Sequence, residues 1–304
     1  MPRLLLVALA LALPPLAHAG DDPLTRPIVS GSTTEWNRPQ TPQRIHGNTW
    51  YVGMHGLSAI LIHGDAGSIL LDGALPQSAP EIEAHIRQLG FGLEDVKLIL
   101  NSHAHFDHAG GIAALQRDSG AEVLASPSGA QALRSGRVVP DDPQAGFSDN
   151  GFPAVAHVRE VHDGETVHLG HLAVTAHFTP GHTPGSTTWT WRSCEDDKCL
   201  DVVYADSLNA ISAPGFHYLA DATHADLGER FRHSIDTVAN LPCDILISVH
   251  PEVAGVDAKL EAIARKPKRN PFIDTQACRT YAGIYRKALD ARIAQERKTT
   301  AQED

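Results

Sequence analysis

Three histidines and an aspartate fall within six consecutive positions in "NSHAHFDHAGG": His103, His105, Asp107 and His108. Packing gives no reason for such a group, because buried imidazoles and carboxylates lose their hydration. Metal binding gives one. In an extended stretch residues i and i+2 point the same way, so His103 and His105 address one point. Asp107 and His108 come where the chain turns toward Gly110 and Gly111, and address a second. One cluster can therefore serve two ions. Zinc takes about four ligands and keeps one position for water when the site is catalytic, so these four residues are too few for two ions. His182 in "TPGHTPGST" and His250 in "LISVHP" make up the number. The expected sets are His103, His105 and His182 for one zinc and Asp107, His108 and His250 for the other, two Zn2+ per chain. The rest of the 18 histidines lack such context.

These side chains need rigid supports, and the surrounding patterns supply them. The run "VKLIL" before the cluster reads as a buried strand, and "AGGIAALQRDSG" after it as a short helix. "NTWYVGMHGLSAILIHGDAGSILLDG" reads as strand–turn–strand. "SAPEIEAHIRQLG" reads as a helix with Ser78 as N-cap and Ile82, Ile86 and Leu89 on one face. Further strands are expected in "AEVLASP", "ETVHLG", "LAVTAHFTP", "STTWTWRS", "LDVVYADS" and "DILISVH". Helices are expected in "SGAQALRSG", in "HADLGERFRHSIDTVANLP" and in "TYAGIYRKALDARIAQERK", the last fraying into a polar tail over 295–304. Residues 136–160 carry Pro, Gly and Asp without periodicity and read as a long loop of the kind that often has a function. Strands followed by strand–helix pairs, twice over, suggest two packed sheets with helices outside.

The first residues have the form of a signal peptide: Arg3, the apolar "LLLVALALAL", and "AHA" before Gly20. Cleavage after Ala19 and export to the periplasm are expected. That leaves a single domain, 20–304, with a polar N-terminal arm over 20–44 and no later membrane-spanning stretch. The formal net charge of −11 argues against a nucleic-acid partner. Four cysteines in an exported chain suggest disulfides. Cys194 and Cys199 flank "EDDK" and would staple a hairpin, while Cys243 and Cys278 would tie the last strand region to the C-terminal segment. A cysteine-based zinc site is the other reading, but no C-x2-C pair is present.

With "HAHFDH", "GHTPGST" and "SVHP" in this order, the chain resembles the metallo-β-lactamase superfamily, and within it the third subclass of zinc β-lactamases. The similarity runs from about Trp36 to Cys278. It implies a four-layer αββα sandwich and hydrolysis of the β-lactam amide bond of penicillins, cephalosporins and carbapenems, giving antibiotic resistance. The partner is a small-molecule β-lactam, and a monomer is expected. In this resemblance Asp107 binds zinc and orients the attacking water or passes on its proton. Ser207 stands where another subclass has a cysteine ligand, and binds the substrate carboxylate. Asn209 replaces a Ser or Thr common in relatives. Trp36 flanks the cleft. Cys243–Cys278 matches a disulfide of the subclass.

The superfamily hosts many reactions. Lactonases and thioester hydrolases of the glyoxalase II type use an aspartate after a strand to bridge both metals, and Asp206 stands in such a place. Here Asp206 is expected to support a ligand rather than bind metal, since the second zinc already has three residues. A non-catalytic zinc-binding protein is a further alternative. A serine β-lactamase is excluded, because no S-x-x-K occurs.

Overall fold

The computed structural model of the chain describes residues 22–148, 150–220 and 224–303. The expected signal peptide lies outside the described residues. Among the described residues twelve strands follow in chain order: β1 (Gln43–His46), β2 (Thr49–Tyr51), β3 (Ile60–Gly64), β4 (Gly67–Leu71), β5 (Val96–Leu100), β6 (Glu122–Ala125), β7 (Val158–Glu160), β8 (Thr166–Leu169), β9 (Leu172–Phe178), β10 (Thr187–Glu195), β11 (Lys198–Ala205) and β12 (Ile245–Ser248). β1 to β7 form one sheet in sequence order, and the other has the order β12-β11-β10-β9-β8. β1 to β4 pair antiparallel and β4 to β7 parallel; in the second sheet only β11 and β12 are parallel.

Side chains alternate across a strand, and here each face meets a different apolar layer. Ile60, Ile62, Ile69, Leu71 and Leu100 of the first sheet meet Val174, Trp189, Val202, Tyr204 and Ile247 of the second between the sheets. The residues between them, Leu61, Leu70, Ile99 and Val123, face outward onto Ile82, Ile86, Ile112 and Leu133 of the covering helices. Val203 and Ala205 face outward from β11 onto Phe231, Ile235, Tyr281 and Leu289 of the helices Gly228–Asn240 and Ala277–Glu303. Three apolar layers separate four structural ones, the αββα sandwich. Strands covered on both faces read as continuous apolar runs, which is why "VKLIL" has no polar alternation. Trp189 is fully buried and its indole N–H donates to Asn101 O at 3.0 Å, tying β10 to the end of β5 just before the histidine cluster. Truncating a core tryptophan costs ~3–5 kcal/mol.

Several local expectations need correction. Ser78 holds the N-cap position of the helix Ala79–Gln88 but makes no side-chain cap bond; it closes a 3-10 turn and its hydroxyl donates to Asn37 Oδ1 at 2.5 Å. The final helix does not fray at 295 but runs to Glu303, and Glu296 is buried against the body. The span 136–160 ends in the strand β7, and β1 begins at Gln43, inside the expected arm. The helix Val256–Ala264 has no counterpart in the sequence reading; its apolar periodicity is weak.

Candidate metal centre

The parallel strands β4, β5, β11 and β12 end at one edge of the sandwich, the place where open α/β sheets commonly build sites. Asp72 follows β4, His103 to His108 follow β5, Asp206 and Ser207 follow β11, and His250 follows β12. The β9–β10 turn brings His182 to the same edge. Gly181 makes that turn possible: a Cβ there would lie 2.1 Å from the Phe231 ring.

His103, His105 and His182 are buried together, with ring centroids 4.7, 4.8 and 5.0 Å apart. Each has one ring nitrogen held by an oxygen. His103 Nδ1–H donates to Asp206 Oδ1 at 2.6 Å, His105 Nε2–H to Asp142 Oδ2 at 3.2 Å, and His182 Nδ1–H to Asn209 O at 2.8 Å. Such partners fix the tautomer and aim the other nitrogen. His103 Nε2 is buried without a hydrogen-bond partner, and ligand atoms of the three rings lie within 4.8 Å of one another.

Asp107, His108 and His250 form a second, tighter set. Asp107 Oδ2 is 3.5 Å from His108 Nε2 and 3.4 Å from His250 Nε2, and the two imidazole nitrogens are 3.2 Å apart. A tetrahedron on bonds of 2.0–2.1 Å has edges of roughly 3.3 Å, so this triangle has the size of one face of a zinc site. His250 Nδ1–H donates to Gly56 O at 3.3 Å. The sets adjoin, with His103 and His108 ring centroids 4.4 Å apart.

The electrostatics suit a cation. Burial pushes His103 and His108 well below the usual imidazole range; burial, then His103 and His105, takes His182 down to about 3. These rings are neutral and keep a lone pair. Burial pushes Asp107 up, but His108 and His250 outweigh it and hold the carboxyl well below its usual range. Burial lowers His105 and His250 too, yet Asp142 and Asp107 respectively leave both raised. Neutral imidazoles and ionised carboxylates are the forms that bind metal; His103, His108, His182 and Asp107 stand in those forms, and a divalent ion would displace the proton that Asp142 and Asp107 favour on His105 and His250.

Two supporting residues were missed in the sequence. Asp142, in "PDDPQ", holds His105. Asp72 accepts from Asn101 Nδ2 at 3.0 Å, Ser102 N at 2.7 Å, Ser102 Oγ at 2.6 Å and Tyr204 O–H at 2.8 Å, joining the ends of β4, β5 and β11 beneath the cluster. Burial pushes its carboxyl up to about 7 against those donors. Its signal was a carboxylate directly after the apolar run "SILL". Gln144 is a third neighbour, its amide nitrogen 3.5 Å from His182 Nε2.

Of the residues expected to meet substrate, Ser207 is buried at the end of β11 and its Oγ accepts from Asn209 N at 3.4 Å. Asn209 is engaged at the site through its backbone carbonyl, on His182. Trp36 ends the short helix Thr33–Trp36, and its ring centroid lies 5.1 Å from that of His250. Its carbonyl accepts from Gly56 N at 3.0 Å, where a Cβ on Gly56 would come 2.6 Å from the indole. Cys194 is bonded to Cys199 across the β10–β11 hairpin, and Cys243 to Cys278.

Residues 53–196 match the family model for the metallo-beta-lactamase superfamily. Among solved structures the Rm3 metallo-beta-lactamase is 50% identical, with a TM-score of 0.85 over 89% of this chain and 100% of that one. MEM-A1, a subclass B3 metallo-beta-lactamase from a soil metagenome library, is 52% identical, with a TM-score of 0.83 over 87% and 99%. Among curated proteins, the hydroxyacylglutathione hydrolase of Maricaulis maris (strain MCS10) is 33% identical over 162 residues, 53% of this chain. The chain spans only 50% of that protein's length, and 28% of its counterpart in Anaeromyxobacter dehalogenans (strain 2CP-C). Half-identical relatives that superpose over their whole length, with the histidine–aspartate cluster at the common sheet edge, settle the family: the chain belongs to the metallo-β-lactamase superfamily, among relatives of subclass B3.

Proposed function

We propose that this protein hydrolyses the amide bond of β-lactams, penicillins, cephalosporins and carbapenems, with two zinc ions held by His103, His105 and His182 and by Asp107, His108 and His250. The observation that carries the reading is the 2.6 Å bond from His103 Nδ1 to Asp206 Oδ1. It turns one oxygen of the aspartate that would have to bridge the metals in a lactonase or thioester hydrolase onto an imidazole, while Asp206 Oδ2 is buried without a hydrogen-bond partner. The similarity to B3 enzymes supports the same conclusion.

Bound zinc supplies a water deprotonated near neutral pH and an electrophile for the lactam carbonyl. The chain's residues do the rest. Asp206, Asp142 and Asn209 O hold the first three imidazoles in their tautomers. Asp107, held ionised beside His108 and His250, orients the water and takes its proton at the carboxylate oxygen that does not hold the zinc. Water oxygen adds to the carbonyl carbon, the C–N bond breaks, and that proton goes to the departing nitrogen. The Ser207 hydroxyl binds the substrate carboxylate, with Asn209 beside it, and the Trp36 indole walls the cleft next to His250. Export to the periplasm follows from the signal-peptide pattern and places the enzyme where β-lactams arrive; no helix among the described residues is long and apolar enough to cross a membrane.

The matches to hydroxyacylglutathione hydrolases favour one second reading, thioester hydrolysis. Parallel assays of the purified mature protein with a chromogenic cephalosporin and with a glutathione thioester separate the two: the proposal expects turnover of the first and little of the second, and the reverse would overturn it.

A further inference from the structure

We propose that Arg292, far along the C-terminal helix, is a positioning residue for the His103–His105–His182 site alone. Its guanidinium clasps the loop after β11 at several points. Nη2 donates to Ser212 Oγ at 2.9 Å and Phe216 O at 2.8 Å, and Nη1 to Ala210 O at 3.4 Å. The guanidinium carbon lies 5.5 Å from the centroid of the buried Tyr218 ring. Nε donates to Glu296 Oε1 at 2.7 Å, and Glu296 Oε2 accepts from the Tyr218 and Leu219 amides at 2.9 and 3.1 Å. An arginine fork can satisfy several carbonyls from one rigid plane, which lysine cannot do.

The clasped loop leads to two of the three histidines. At its start is Asn209, whose carbonyl holds His182 Nδ1. Midway, Ala213 N donates to Pro143 O at 2.8 Å. That bond carries the restraint to the neighbouring loop, where Asp142 holds His105 and Asp142 Oδ1 in turn accepts from Gln144 N at 2.8 Å. Thus the helix, through two loops, sets both oxygen partners that lie on loops. The third partner, Asp206, directly follows β11, and its carbonyl accepts from Tyr281 O–H at 2.9 Å, a support independent of Arg292. The other site is independent too: His250 depends on Gly56 O, held by Trp36 from the N-terminal arm.

The inference rests on the two-ion reading above, and the test separates them. In Arg292→Ala, with Arg292→Lys as the variant that keeps the charge and loses the fork, the imidazole N–H protons are followed by 15N NMR, in metal-free and zinc-loaded mature protein. Exchange of the His182 and His105 ring protons should accelerate about 10-fold or more, while those of His103 and His250 stay as in the wild type. In zinc titrations one ion should weaken by ~10–100-fold and the other not at all. Unchanged His182 and His105 protons would overturn the proposal, and so would all four rings loosening together. The metal-free spectra decide it even where the wild type binds a single ion, a result that would count against the two-ion reading instead.

Discussion

His103 Nδ1 and Asp206 Oδ1 lie 2.6 Å apart, both fully buried, at the ends of strands in opposite sheets. Through Oδ1 the aspartate fixes the tautomer and aim of that imidazole. Asp206→Ala should weaken zinc at the His103 site by ~10–100-fold, whereas Asp206→Asn, which keeps an acceptor oxygen, should retain most of the affinity. If asparagine proves as damaging as alanine in a zinc titration, Asp206 is a direct ligand.

Ser207 is assigned to ground-state binding of the substrate carboxylate. Ser207→Ala should raise KM for carboxylate-bearing β-lactams more than it lowers kcat. Steady-state kinetics with unchanged KM and kcat would remove Ser207 from the site.

The Cys243–Cys278 disulfide closes a separation of 35 residues, which chain-entropy reasoning values at roughly 3–4 kcal/mol. A Cys243→Ser/Cys278→Ser protein should lose about that much in denaturant unfolding, with Cys194–Cys199 intact in non-reduced peptide maps. Free thiols or crossed pairs in the wild type would contradict the assignment.

The N-terminal arm that carries Trp36 is pinned by Asp22 to Arg117 at 2.7 Å. The Leu24 amide, then the Arg117 guanidinium, hold the Asp22 carboxyl below its usual range. A lowered carboxylate contributes stability above its unfolded value, near pH 4, that disappears as the pH falls through the lower folded value. Both side chains are partly exposed, so the pair contributes less than ~1 kcal/mol. Asp22→Asn should lower Tm by a few degrees at most at pH 7, and by nothing in strong acid. A deficit that persists in acid would mean the pairing charge is not its cause.

The six candidate ligands could be picked out because metal chemistry needs certain residue types at a strand end, and few other pressures place them there. Fully covered strands were equally plain in their apolar runs. What the sequence concealed was support at a distance. Asp142 reaches His105 from a loop without periodicity, and Asp72 joins three strands whose register local patterns do not give. Glu296 looks like part of a polar tail until the helix is seen to fold it onto Tyr218. Ser78 stands at the N-cap as read, but its hydroxyl serves Asn37, a partner 41 residues earlier in the chain, instead of the helix amides.

A dinuclear zinc β-lactamase is tested most directly by zinc content and chromogenic cephalosporin turnover determined on the same mature sample, before and after chelation. The active protein should hold two zinc ions per chain, lose turnover with chelation, and regain it as zinc is returned. Full activity in excess chelator would contradict the mechanism, and full activity with one ion per chain would contradict the two-site centre.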